Sequence, residues 1–222
     1  MAGSSASETF PMPTLIPLGD SSFLVRFGTT LTDDANRAAV AFASALARAP
    51  VPGVLEVMPN LVSVLLRYNP CAATPDTILG EVRLRLSGLA SDKRKPHDWT
   101  IPVVFDGPDL EETAAALGMT GAAFIAAHNA SPLRVLATGF APGFVYCGLH
   151  PQVLVLPRRM AVRPAVPAGS VLFAAGQTAI AATEMPTGWH VIGHTDFNNF
   201  EPTKQKPTRL TAGDTIQFEA VR

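Results

Sequence analysis

The sequence predicts an α+β protein in which a small α/β N-terminal domain precedes a β-rich domain, either a barrel or a sandwich. Helical periodicity stops near residue 133, and beyond it Gly and Pro interrupt short apolar runs. The stretch SDKRKPHD (91–98) is highly charged, contains a proline and marks the domain boundary. We therefore expect a flexible tail at 1–14, an N-terminal domain at 15–92 and a β-rich domain at 97–222.

The first domain is expected to begin with a strand and a helix. Apolar residues alternate with others from Phe23 to Phe27, which is typical of a half-buried strand. Thr32 is a suitable N-cap for the helix that follows, and Asp33 and Asp34 complement the positive end of its dipole. Pro50 ends this helix.

A β-hairpin and a second helix complete the predicted domain. VLEVMP (54–59) and VSVLLRY (62–68) have the composition of two strands, with a turn between them. Thr74 and Pro75 then provide an N-cap and a first-turn proline, and Gly88 is expected at the C′ position of the helix.

The second domain is expected to contain a pair of short helices followed by strands. WTIPVVF (99–105) alternates as a strand, which either completes the first sheet or opens the second domain. Asp109 and Glu112 have the spacing of a capping box, and TGAAFIAAH (120–128) predicts a second helix. DTIQFEA (214–220) alternates as a closing strand.

Composition excludes several functional classes. The 222 residues are 47% apolar, enough for a sizeable core, and the net charge of −1 argues against nucleic acid as a partner. The two cysteines are too few for a disulfide framework and fit a reducing compartment. The N-terminus lacks the features of a secretory signal, and no apolar window reaches the ~20 residues that a membrane span needs. We expect a cytoplasmic protein without a membrane partner.

Common nucleotide, zincin and hydrolase motifs are absent from the sequence. The conspicuous polar residues that remain as candidates for a site lie in the β-rich half. PRRMAVRP (157–164) carries three arginines that either grip a carboxylate or phosphate or form a solvated strand edge: Arg158, Arg159 and Arg163. Gln177 and Thr178 either present an amide and a hydroxyl to a ligand or cap their own turn.

The histidines do not predict a metal site. His190 and His194 share one face of a strand but lie roughly 13 Å apart, too far for one ion. His128 closes a predicted helix, where the dipole favours its charged form, so it either caps the helix or transfers a proton.

Several motifs, in this order, resemble the carboxyltransferase subdomain family. They are GFAPGFVY (139–146), LPRR (156–159), VPAGSV (166–171), AGQT (175–178), GWHVIGHT (188–195) and AGD (212–214). IPLGDSSFLVRFG (16–28) and PGVLEVMPNLVSVLLRYNP (52–70) resemble the opening domain of the same family. This family includes the B subunit of 5-oxoprolinase, also called allophanate hydrolase subunit 1, and Kip-type histidine-kinase inhibitors.

The resemblance implies a cyclophilin-like β-barrel as the second domain and a function in a complex. It implies a subunit of an ATP-dependent 5-oxoprolinase that opens 5-oxoproline to glutamate together with an A-type subunit and a second barrel subunit of the C type. ATP would be a co-substrate of the complex. Two alternatives stay open: a urea- or allophanate-type carboxyltransferase or amidohydrolase component, with biotin as a possible cofactor, and a binding module that inhibits a histidine kinase.

On this resemblance we interpret the candidate residues as parts of one site. Phe144 and Tyr146, with Phe140, would wall the barrel's cleft. The three arginines would hold a carboxylate, and Thr178 would bind an amide or lactam. His128 and Gln177 would be the catalytic residues, with proton transfer at the histidine.

The sequence departs from the family pattern at several positions, among them three that lie in or near the motifs above. His194 stands where the family has an arginine, and it is expected to contribute to substrate binding with only partial charge at neutral pH. Thr187 replaces a glycine, and His150 replaces a small residue or leucine. The loss of the arginine bears on which substrate is bound.

Overall fold

The computed structural model describes residues 10–89 and 95–222. The chain divides into two compact units, Met1–Lys95 and Pro96–Arg222. Residues 1–9 of the expected tail and the first half of the predicted boundary stretch, 91–94, lie outside the described residues. Thr14, which the sequence assigned to the tail, already belongs to the first strand.

The first unit is a four-stranded antiparallel sheet with two helices. The strands are β1 (Thr14–Leu18), β2 (Ser22–Arg26), β3 (Val54–Pro59) and β4 (Ser63–Tyr68), and the helices are α1 (Asp33–Arg48) and α2 (Pro75–Ser87). The strand order is β1-β2-β4-β3, so the predicted hairpin is present as β3 and β4. The sequence did not predict β1, an edge strand in which Pro17 is tolerated because an edge requires fewer backbone donors.

Local capping signals fix the ends of these helices. The Thr32 hydroxyl accepts a hydrogen bond from the Ala35 N–H (3.2 Å), and the Thr74 hydroxyl accepts one from the Thr77 N–H (3.3 Å). Gly88 is the C-cap residue itself, with φ of −105°, so its predicted place at a left-handed C′ position is wrong. No helix in the described parts of the chain is long and apolar enough to cross a membrane.

The second unit is a closed seven-stranded barrel, so the predicted α+β fold with a β-rich second domain is confirmed. Its strands are β5 (Asp98–Val104), β6 (Leu133–Thr138), β7 (Val145–Gly148), β9 (Ser170–Ala174), β10 (Gln177–Ile180), β12 (His190–His194) and β13 (Thr215–Val221). β5 pairs with β13, so WTIPVVF opens this unit and does not complete the first sheet. β13 also pairs with β6, as a closing strand must.

The barrel interior is apolar and is packed against two short helices. These are α3 (Leu110–Ala116) and α4 (Gly121–His128). Leu110 of α3 and Phe124 of α4 belong to the same buried cluster as the inward-facing strand residues, which include Ile101, Val135, Cys147, Phe173 and Phe218. This packing brings the end of α4 against the strands, where His128 lies.

A small second sheet covers part of the barrel's outer surface. It consists of β8 (Arg163–Val166) and β11 (Met185–Thr187). Val166 and Met185 of this sheet pack with outward-facing residues of β9 and β10 in a separate cluster. β9 and β10 are joined by Ala175 and Gly176, both with positive φ, as a two-residue type I′ hairpin turn requires.

We predict that Gly107→Ala destabilises the protein by about 1–3 kcal/mol, as overpacking does. An added Cβ would lie 2.3 Å from the Val191 carbonyl oxygen of β12, and backbone atoms cannot yield as a side chain can. Urea denaturation measures the change. Gly188→Ala is the control, since its Cβ has no neighbour closer than 4.0 Å and we expect stability close to wild type. Equal stability of the two variants would contradict the prediction.

Candidate functional site

The site is organised around the buried carboxylate of Asp109, in the loop between β5 and α3. The side chain is 3% exposed and accepts hydrogen bonds from Arg159 Nη1 and from Arg163 Nη2, both at 2.5 Å. Its second oxygen accepts a hydrogen bond from the Val191 N–H of β12 (2.8 Å). One carboxylate therefore connects α3, β12 and the arginine-rich segment at 157–164.

The predicted capping box at Asp109 and Glu112 is wrong. Asp109 makes no side-chain capping hydrogen bond, because both of its oxygens are occupied by the arginines and by β12. Burial raises the pKa of Asp109, but the hydrogen bonds from Arg163 and Val191 and the two arginine charges outweigh this effect. The net pKa lies below the ordinary value, so the carboxylate is charged at neutral pH.

A cavity of about 430 Å³ lies beside this network. Its lining residues come from α3, from the segment 156–161 and from the start of β12: Glu112, Ala116, Leu156, Pro157, Arg158, Arg159, Met160, Ala161 and His190. Arg159 is neutralised by Asp109 at 2.5 Å, and its Nε atom is buried without a hydrogen-bond partner. Arg158, by contrast, has no ion-pair partner among the residues that the structure describes.

Arg158 also contacts a row of aromatic side chains on the barrel's outer surface. Its guanidinium lies 5.6 Å from the centre of the Trp189 ring. From Trp189 the ring contacts continue to Tyr146 (6.0 Å) and from Tyr146 to Phe144 (4.8 Å). Burial raises the pKa of Tyr146, so its hydroxyl stays protonated at neutral pH. Phe140 adjoins Phe144, but it is 78% exposed and excludes little water.

Gln177 and Thr178 point to opposite faces of β10, because successive residues of a strand alternate. Gln177 is paired with Ala174, which belongs to the outer cluster. Thr178 is paired with Phe173, which belongs to the barrel interior. The two residues therefore do not form one amide-binding site. The Oε1 atom of Gln177 is buried without a hydrogen-bond partner.

The Thr178 hydroxyl lies between two buried imidazoles. It is 2.7 Å from His128 Nε2 and 2.8 Å from His150 Nε2. His128 Nδ1 is 2.6 Å from the Asn129 Oδ1 atom, which only accepts. With neutral rings, His150 Nε2–H then donates to Thr178, the Thr178 hydroxyl donates to His128, and His128 Nδ1–H donates to Asn129. This is a continuous hydrogen-bonded chain.

Both histidines of this chain are neutral at physiological pH. Burial lowers the pKa of His128 to about 4. Burial and the proximity of His128 lower the pKa of His150 to about 3. The expectation that the helix dipole keeps His128 charged is therefore wrong, because desolvation exceeds the dipole's effect at a ring enclosed by Phe105, Phe124, Phe173 and Phe218.

The departures from the family pattern have different surroundings. His194 ends β12, is half exposed and lies 2.8 Å from Asp106, so its partner in the structure is a carboxylate. It does not line the cavity. The Thr187 hydroxyl accepts a hydrogen bond from the Trp189 N–H (3.1 Å) and helps fix the chain before the tryptophan. His150 belongs to the buried chain with Thr178.

The structure thus separates the residues that the sequence grouped in one site. Arg158 and Arg159 line the cavity, Phe144, Tyr146 and Gln177 lie on the outer surface of the barrel, and His128 and Thr178 lie inside it. Arg163 contacts Asp109, and His194 lies at an exposed edge.

Sequence reasoning did not select Asp109, His190 or Trp189 as site residues. Asp109 precedes a helix, so a capping role accounted for it and concealed its contact with the arginines. Trp189 was visible only as part of a motif, GWHVIGHT, and His190 was considered only as a metal ligand and rejected.

Comparison with known proteins gives a consistent family assignment. The family model for the carboxyltransferase domain, subdomain C and D, matches residues 13–210. The chain is 32% identical over 215 residues to the B subunit of 5-oxoprolinase from Bacillus subtilis, covering 90% of each protein.

Two solved structures show how widely this fold is used. TTHA0988 superposes with a TM-score of 0.81 at 35% identity, and the match covers 90% of this chain but only 40% of that longer one. The Kluyveromyces lactis urea amidolyase superposes with a TM-score of 0.76 over 98% of this chain and 15% of that chain. At 16% identity the second similarity concerns the fold alone.

We predict that Asp109→Asn destabilises the protein by about 3 kcal/mol, because it leaves two clustered guanidinium groups without their counter-charge. Thermal and urea unfolding measure the loss. Asp106→Asn is the matched control, since its partner His194 is half exposed, and such a pair contributes about 0–1 kcal/mol. If Asp109→Asn unfolds at the wild-type denaturant concentration, the network is not a major source of stability.

Stability should fall as the pH is lowered from 6.5 toward 4. His128 and His150 have pKa values of about 4 and about 3 in the folded protein, below the ordinary 6.5 that applies after unfolding. In this window the unfolded chain binds the additional protons, so each histidine costs about 1.4 kcal/mol of stability per pH unit of acidification. Denaturant titrations between pH 7 and 4.5 measure the slope.

A matched pair of variants assigns this slope. His128→Gln should reduce the slope by about half, because the buried His150 still contributes, and His194→Gln, which changes a half-exposed ring, should leave it unchanged. A wild-type stability that is constant between pH 6.5 and 4.5 would show that the buried rings do not resist protonation.

Proposed function

The chain belongs to the family of carboxyltransferase domains of subdomains C and D, and we propose that it is the B-type subunit of an ATP-dependent 5-oxoprolinase complex. The observation that carries the proposal is its similarity, across 90% of both proteins, to the B subunit of a 5-oxoprolinase. We place the complex in the cytoplasm, in agreement with the two free cysteines, Cys71 and Cys147.

The volume and the charge of the cavity favour a small anionic substrate. 5-Oxoproline is a five-membered lactam with a single carboxylate, and about 430 Å³ lies within the range of roughly 300–1,000 Å³ typical of ligand pockets. Arg158 is the cation of this cavity without an ion-pair partner among the described residues, so we assign it to the substrate carboxylate. A guanidinium suits this role because it binds a carboxylate through two parallel hydrogen bonds.

The other two arginines support the site in a different way. Arg159 and Arg163 share the carboxylate of Asp109, which already neutralises their charge. We propose that they position the segment carrying Arg158 and do not themselves bind the substrate carboxylate. Catalytic roles for His128 and Gln177 stay predictions, as do contacts of Thr178, Phe144, Tyr146 and His194 with the substrate.

Partner subunits are part of the proposal. The similar proteins of Bacillus subtilis and Escherichia coli are each one subunit of a 5-oxoprolinase, and a subunit works within a larger assembly. TTHA0988, at 35% identity, joins a region like this chain to further sequence, since the match covers 40% of its length. We therefore propose that a C-type barrel subunit and an A-type subunit complete the enzyme and that ATP is consumed by the complex. Biotin is not part of the proposal, because the urea amidolyase similarity extends to the fold alone.

The test is reconstitution of the complex. Glutamate and ADP formed from 5-oxoproline and ATP are measured with this chain alone and with its A-type and C-type partners, and urea and allophanate serve as comparison substrates. We expect glutamate in the full mixture and little or none from this chain alone. Turnover by the single chain would refute the proposal of a multi-subunit enzyme. Turnover of urea or allophanate in place of 5-oxoproline would refute the proposal that 5-oxoproline is the substrate.

Arg158→Ala should raise KM for 5-oxoproline about 10- to 100-fold in the reconstituted complex, the effect of losing a charged hydrogen bond of about 1.5–3 kcal/mol. Arg209→Ala is a matched control, because Arg209 also stacks on aromatic rings, 5.2 Å from Trp99 and 4.5 Å from Phe197, and does not line the cavity. We expect its KM to be unchanged. Equal KM values in the two variants would remove Arg158 from the substrate site.

A further inference from the structure

Tyr146 of β7 and Gln177 of β10 are two polar side chains on the outer face of the barrel. Tyr146 pairs with Ala179, and Gln177 pairs with Ala174. Both alanines belong to the outer apolar cluster. Because cross-strand partners point to the same face of a sheet, the phenol and the amide both project outward.

The two side chains are neighbours along β7. A Cβ added to Gly148 would lie 3.4 Å from Gln177 Cγ, so the glutamine side chain lies over the position two residues beyond Tyr146. Positions two apart on one face of a strand are separated by roughly 7 Å. Since Gly148 has no side chain and Ala179 has only a methyl group, neither residue fills the space between the phenol and the amide.

Each side chain has a hydrogen-bond donor that solvent reaches. The Tyr146 hydroxyl and Gln177 Nε2 are not enclosed, and neither has a partner in the parts of the chain that the structure describes. Gln177 Oε1, by contrast, is enclosed, so a ligand reaches only the donor end of this amide. Burial raises the pKa of Tyr146 and the charge of Arg158 opposes this effect, but burial is the larger. The phenol therefore keeps its hydrogen at neutral pH.

Arg158 adjoins this pair of donors. Its guanidinium lies 5.6 Å from the centre of the Trp189 ring, and that ring lies 6.0 Å from the Tyr146 ring. Phe144 contacts the Tyr146 ring at 4.8 Å, so two aromatic side chains fix the direction of the phenol. A guanidinium suits a carboxylate, and neutral donors suit an uncharged acceptor oxygen. The fitting ligand therefore carries both groups.

We infer that the Tyr146 hydroxyl and Gln177 Nε2 donate hydrogen bonds to the carbonyl oxygen of the substrate while Arg158 binds its carboxylate. The inference rests on the proposed function, which identifies this atom as the lactam oxygen of 5-oxoproline. Gln177 thus acts with Tyr146 on the outer face, and not with Thr178, the neighbour that the sequence indicated.

The test compares two ligands that differ only in the carbonyl group. 3-Oxocyclopentane-1-carboxylate has the ring carbonyl and the carboxylate of 5-oxoproline in the same relative positions, and cyclopentanecarboxylate has a CH₂ group in place of that carbonyl. Calorimetry measures both dissociation constants, and that of 5-oxoproline, in the assembled complex without ATP. We expect wild type to bind the ketone at least about tenfold more tightly, since the other ligand leaves two donors unpaired.

Three variants assign this preference to the two donors. Tyr146→Phe removes only the hydroxyl and keeps the ring, and Gln177→Met keeps the length of the side chain without the amide. Each should lower the ratio of the two dissociation constants by about 3- to 10-fold, the effect of one hydrogen bond. Tyr68→Phe is the matched control, because this tyrosine donates to the Asp20 carbonyl oxygen in the first unit, and its ratio should equal that of wild type.

A further variant separates the two halves of the site. Arg158→Ala should weaken both ligands by the same factor, because each has one carboxylate, and the ratio should stay that of wild type. Since the two ligands are always compared on the same protein, a general loss of structure weakens both and does not imitate a change in their ratio.

The outcomes distinguish this inference from the proposed function. Turnover of 5-oxoproline together with a wild-type ratio near one would overturn the carbonyl site and leave the function in place. A ratio that neither Tyr146→Phe nor Gln177→Met changes would also overturn the inference, because other groups would then bind the carbonyl. A complex that neither turns over nor binds 5-oxoproline, but still prefers the ketone, would overturn the function and keep the carbonyl site.

Discussion

The buried carboxylate of Asp109 joins parts of the second unit that are far apart in sequence. It neutralises Arg159 and Arg163, which approach it from one segment, and it accepts the Val191 N–H of β12 from another. Since two guanidinium groups in one place repel each other, this segment depends on the carboxylate for its position. Arg158 lies directly before Arg159, so Asp109 also restricts where the Arg158 side chain can lie.

Strand alternation divides the chemistry of the barrel into two environments. On the inner face, Thr178 and two neutral histidines form a hydrogen-bonded chain enclosed by phenylalanines, where a charge is costly. On the outer face, Tyr146 and Trp189 form an aromatic surface that Arg158 covers. Adjacent residues of β10 point to different faces of the barrel. The GQT motif therefore forms part of a hairpin and does not place Gln177 and Thr178 in one binding site.

The cavity has one feature that suits a small acid. Arg158 lines it and has no ion-pair partner among the described residues. Among the described residues, the carboxylate that lines the cavity is Glu112, which is 72% exposed. The proposed role of the chain as one subunit of an enzyme leaves further catalytic groups to its partners.

Local sequence determined the elements, and the closed barrel decided the site. Alternation and capping predicted the strand at Phe23, the hairpin and the helices that follow Thr32 and Thr74, since these signals act within a few residues. The pairs Asp109–Arg159 and His128–Thr178 are each 50 residues apart, so no local pattern encodes them. Barrel closure brings the members of each pair together and buries His128 away from water. Asp109 becomes an ion-pair partner and not a helix cap, because burial and long-range charge outweigh the local preference of the residue.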